Sequence, residues 1–79
     1  MRPSRQTIEA LAVKQFGVDQ AAGIMKLLDQ YDDRERERVQ MCILSLANGK
    51  IEDIKHYVQT AKMDYRDILY WADPDGKLT

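Results

Sequence analysis

One histidine, one cysteine and one acidic turn are the features of this chain whose types could do chemistry. His56 has Glu52, Asp53, Gln59 and Thr60 at helical spacing, and either carboxylate could orient its imidazole for general-base work. Cys42 falls on an apolar stripe of a different segment, with no glycine-rich nucleophile turn beside it. A solvated surface histidine is therefore the expectation. One His and one Cys without a paired carboxylate–histidine motif do not make a zinc site. Asp73-Pro74-Asp75-Gly76-Lys77 has the look of a calcium-loop opening, but no downstream glutamate supplies the bidentate ligand, so it reads as a turn-forming tail. The chain is expected to be no enzyme, with no catalytic residue, metal site or cofactor.

Two binding patterns remain. The stretch from Leu11-Ala12 to Phe16-Gly17-Val18-Asp19 is similar to the turn of a helix-turn-helix reader. That pattern wants a small residue four before the glycine, where Val13 stands. The following segment offers Gln20 and Lys26 but no arginine to grip guanine or phosphate. The second pattern is aromatic. Tyr57, Tyr65, Tyr70 and Trp71 crowd the last third of the chain. On a straight helix, His56, Met63 and Tyr70 recur at seven-residue steps and form an outer stripe, about 150° from the apolar seam. Tyr, Trp and Met are favoured in interface cores, so this stripe is the expected docking face.

The elements that must carry these residues are helical throughout. No stretch alternates apolar and polar residues over a strand's length, and Pro3 and Pro74 lie only at the ends. A first helix is expected from Ser4 or Thr7 to Phe16, stopped by Gly17. A second opens on Asp19 as its cap and turns Ala21, Ile24, Met25, Leu28 and Tyr31 inward. A third opens on Asp32 with Glu35 three residues on, like a capping box, and ends at Asn48-Gly49. Its stripe is Val39, Cys42, Ile43 and Leu46, with Met41 and Leu44 off it, so it is apolar on more than one side and belongs at the centre. Met41 and Leu44 are expected to keep exposed parts that add to the docking face.

The fourth helix is the most regular. Ile51, Ile54, Val58, Ala61, Tyr65, Ile68 and Ala72 follow one another in steps of three and four over 22 residues. A straight rod of that length spans about 33 Å, against about 21 Å for a third helix of roughly 14 residues. Either the chain breaks near Met63-Asp64, with Asp64 capping a new helix, or the overhang packs on another subunit. A continuous or gently kinked helix is the expectation.

Composition bounds the rest. Seventy-nine residues make one domain, 1–79, with a thin core. The 44% hydrophobic and 32% charged residues are a globular balance. Net charge is -1, divided as +2, -2 and -1 over residues 1–28, 29–49 and 50–79. No third of the chain is a basic arm for nucleic acid or an anionic membrane. The start Met1-Arg2-Pro3-Ser4-Arg5 has a signal peptide's charged head, but Glu9 and Lys14 interrupt any apolar run behind it. A single cysteine forms no internal disulfide, so a reducing, cytoplasmic setting is expected.

The residues Asn48-Gly49-Lys50-Ile51-Glu52 and Asp64-Tyr65-Arg66-Asp67-Ile68-Leu69-Tyr70-Trp71-Ala72 resemble the tail of short bacterial all-helical proteins that carry no assigned activity. The resemblance covers residues 48–72. It implies a helical fold in a bacterial cytosol and carries over no catalytic residue.

The expected architecture is an all-α bundle of four helices, or five if the last divides. The expected function is non-catalytic protein binding, as a homo-oligomer (a dimer) through the C-terminal helix, with Met63, Tyr70, Trp71, His56, Met41 and Leu44 as contacts. A different protein partner is compatible with the same face. The alternative is a small helix-turn-helix-like nucleic-acid-binding regulator using Lys14, Gln20 and Lys26. Neither nucleic acid nor a membrane is the expected partner.

Overall fold

A computed structural model describes residues 3–76. They form four helices, α1 (Arg5–Phe16), α2 (Val18–Leu28), α3 (Arg36–Ala47) and α4 (Ile51–Ala72), and no strand. The helices close into a ring: α1 packs on α2 and α3, and α4 packs on α3 and α2.

Local chemistry sets the ends. Ser4 caps α1, its hydroxyl accepting from the Thr7 N–H at 3.2 Å. Gly17 alone joins α1 to α2. Its N–H closes α1 on the Val13 carbonyl at 2.8 Å, and its own carbonyl accepts from Gln20 and Ala21 at 3.2 and 3.0 Å. This double duty needs a φ of +88°, which glycine reaches without a side-chain clash. α2 consequently begins at Val18 and not on an Asp19 cap. Asp19 lies inside the first turn, where its charge still faces the positive helix end.

The largest departure from expectation lies between α2 and α3. α2 stops at Leu28, so Tyr31 is buried from a connecting segment and not from a helix face. Its hydroxyl donates to the Arg34 carbonyl at 2.7 Å, and burial pushes its pKa up to about 12. α3 starts at Arg36, three residues later than an Asp32 cap predicts, with Glu35 in the left-handed region at φ 52°. Asp32 and Glu35 form the ion pairs that their sequence spacing offers, at 3.3 Å from Arg36 and 3.1 Å from Arg38.

The cause is Gln40. Its side-chain amide is buried and donates to the Leu28 carbonyl at 2.8 Å and the Tyr31 carbonyl at 3.1 Å. Carbonyls at the end of α2 lack intrahelical partners, and a side chain from α3 supplies one. The link requires the connection to turn tightly over α3. Outside it, Arg5 grips Asp29 through two bonds of 2.6 and 2.7 Å, tying the start of α1 to the end of α2. That grip holds the Asp29 carboxyl below its ordinary range. Both side chains are near half exposed, so the pair adds at most about 1 kcal/mol.

α3 carries the densest core. Every residue from Val39 to Leu44 is buried. Successive helical residues turn by about 100°, so six in a row can be buried only in a helix covered on all sides. The expected exposed parts of Met41 and Leu44 do not exist: Met41 is 7% exposed and Leu44 is 0% exposed. Asn48 in the left-handed region and Gly49 end the helix as the sequence implies.

Replacing Gln40 with methionine keeps the length of the side chain and removes its donors. We expect a loss of about 1–3 kcal/mol, the cost of stripping the Tyr31 carbonyl of this donor and leaving the Leu28 carbonyl with the Tyr31 N–H alone, read from urea denaturation. A loss below about 0.5 kcal/mol would show that these bonds do not anchor α2 to α3.

Candidate functional site

The apolar seam of α4 buries Ile54, Val58, Ala61 and Ile68 as its spacing implies, while Ile51 stays partly open. The rod itself is not continuous. Asp64 has φ -158° and ψ 98°, which is extended backbone inside α4. Its carboxylate accepts from the Arg66 N–H at 3.0 Å and pairs with the Arg66 guanidinium at 3.0 and 3.2 Å. Both contacts hold the Asp64 carboxyl below its ordinary range. A carboxylate bonded to the amide two residues on is an N-cap. Residues 65–72 are thus a second helical segment with its own cap.

The bend is sharp. The rings of Tyr57 and Trp71 meet edge to face with centroids 6.3 Å apart. On a straight helix, 14 residues would separate them by about 21 Å along the axis. The expected gentle kink is therefore corrected to a fold-back. Asp73 completes it. Buried at the end of the segment, it accepts from Arg38 Nε at 3.1 Å and anchors the tail to the start of α3. This inward turn also removes Asp73 from any calcium-loop arrangement with Asp75; Lys77 lies outside the described residues.

The fold-back redistributes the expected docking face. Met63 is 89% exposed, Tyr70 74% and Trp71 51%, and His56 is open to solvent. His56 and Met63 keep their common stripe before the break, but Tyr70 no longer shares it, because helical phase does not carry through Asp64. In place of the full stripe stands an aromatic row. His56 meets Tyr57 at 5.4 Å, Tyr57 meets Trp71, and Tyr70 adjoins Trp71 in sequence. Tyr57 was not among the expected contacts. The signal for it was the capping potential of Asp64, which brings Trp71 back over residues 51–63.

The chemical candidates do not converge. The Thr60 hydroxyl donates to the His56 carbonyl at 3.2 Å, and Glu52 lies toward Lys55 at 3.9 Å. Among the described residues, neither Glu52 nor Asp53 hydrogen-bonds the imidazole, and no group of three or more His, Cys, Asp or Glu could hold a metal ion. Cys42 is fully buried. Burial, then the charge of Asp73, pushes its thiol up to about 11. At the α1–α2 junction a single residue replaces the three- or four-residue turn of a helix-turn-helix. Lys14, Gln20 and Lys26 are exposed, as is Asp19, the chain neighbour of Gln20. No helix among the described residues is long and apolar enough to cross a membrane.

No known protein family, curated protein or solved structure matches the chain.

The buried thiol gives a direct check on this packing. Alkylation of Cys42 by iodoacetamide at pH 8 should run more than about 100-fold slower in the folded protein than in urea, since the thiolate is scarce and shielded. Equal rates would mean that the α3 face holding Cys42 opens freely.

Proposed function

We propose that this chain is a non-catalytic protein-binding module that self-associates through its C-terminal helix. The observation that carries the reading is Trp71: half exposed, yet braced along one edge by Tyr57 and adjoining an open Tyr70. A braced ring loses little freedom on docking, and Trp and Tyr dominate the centres of interfaces. Together Tyr70 and Trp71 leave on the order of 300 Å² open per copy. That is about a third of the ~800 Å² each partner contributes to a standard interface. Neighbours such as His56 and Met63 would supply part of the remainder. A cytoplasmic setting belongs to the same proposal, because the thin core relies on no disulfide.

Sedimentation equilibrium at about 50 µM, well above a micromolar dissociation constant, tests the reading. The expected mass is twice that of the chain. Tyr70→Glu should weaken association at least about tenfold, with the far-UV circular dichroism of the native helices retained. Met63→Glu should weaken it less. A wild-type protein that sediments as a monomer would overturn the proposal.

A further inference from the structure

We infer that residues 65–73 exchange between two copies of this chain, each copy's tail packing on α3 of the other when the break at Asp64 straightens. The inference rests on self-association through the C-terminal helix and names the segment that does it. Three observations support it.

The first is length. α3 has 12 residues and α4 has 22. Straightened, α4 would outrun α3 by about 15 Å, or about ten residues. The segment beyond Asp64 is nearly that long.

The second is phase. Ile54, Val58 and Ala61 before the break and Ile68 after it are the buried residues of α4. With Tyr65 and Ala72 they keep steps of three and four straight through Asp64. A segment that packed only after a reversal would be under no pressure to hold the phase of the helix before it. A straight rod needs that phase.

The third is the hinge. One extended residue, Asp64, separates two helical stretches. The contacts that hold the tail to the rest of the fold, Ile68 in the core, Trp71 on Tyr57 and Asp73 on Arg38, lie with groups on the far side of that hinge, while the Arg66 bonds to Asp64 belong to the hinge itself and are given up when it straightens. A second copy can remake each of the contacts across the hinge unchanged, and short hinges favour exchange for this reason.

Charge reversal across the Arg38–Asp73 pair tests the exchange. Arg38→Glu and Asp73→Arg each place like charges together within one chain. In an exchanged 1:1 mixed dimer both sites are matched, Arg38 with Asp73 and Glu with Arg. The two variants should be refolded together at about 50 µM total chain. The expected result is a mixed dimer in native mass spectrometry and sedimentation, with thermal stability above that of either variant alone. The double variant, with both changes in one chain, should regain helicity and associate, though below wild type because Glu35 opposes a glutamate at position 38, which shows that the reversed pair is tolerated. If the double variant folds, the mixture gains nothing over the separate variants, and wild type is a dimer broken by Tyr70→Glu, the exchange is overturned while surface docking stands. If wild type and mixture are both monomeric, exchange and self-association fall together.

Discussion

α3 offers about 18 Å of helix, and the apolar seam that follows it asks for about 33 Å. That mismatch governs the molecule. A straight α4 would leave its last turns without a core to cover. The fold resolves this by breaking at Asp64 and returning the tail, so that Ile68 is buried and Asp73 reaches Arg38 at the far end of α3. The same return covers the Arg38–Cys42 side of α3. Complete burial of Val39 through Leu44 therefore depends on where the tail lies as well as on the ring of helices.

Buried polar groups fix what apolar packing alone would leave loose. Leu, Ile and Met side chains tolerate sliding along a helix, whereas a buried amide or carboxylate has one set of partners. Gln40 sets the height of α2 against α3. The Arg38–Asp73 pair sets the end point of the tail. Asp64 sets the residue at which the chain turns. Together they position the Trp71 edge on Tyr57 and leave Tyr70 facing outward, which is the arrangement the proposed docking face needs.

Much of this was legible in the residues. Helical periodicity, the Ser4 cap, the Gly17 stop, the Asn48-Gly49 end and the central place of α3 all come from local rules that tertiary contacts did not override. The start of α3 was not legible. Asp32 and Glu35 have the types of a capping box, but Gln40 needs the preceding segment as a turn, and a buried amide inside an apolar run gives no sign of its partners. The exposure of the proposed docking residues was legible in part. Met63, Tyr70, Trp71 and His56 are exposed as expected. Met41 and Leu44 are not, because a stripe drawn for one packing direction misses a helix enclosed from several. Tyr57 went unseen because the seam's unbroken phase argued for a straight rod, while the capping chemistry of Asp64 argued for a break.

The return of the tail at Asp64 is the claim on which the aromatic row and the exchange both rest. Nuclear Overhauser spectroscopy on the isotopically labelled protein, diluted until it is monomeric, measures it directly. The account predicts ring-to-ring cross-peaks between Tyr57 and Trp71, together with loss of the regular helical Hα-to-amide connectivities through Met63, Asp64 and Tyr65. Unbroken helical connectivities from Val58 to Ala72, with no Tyr57–Trp71 contact, would contradict it.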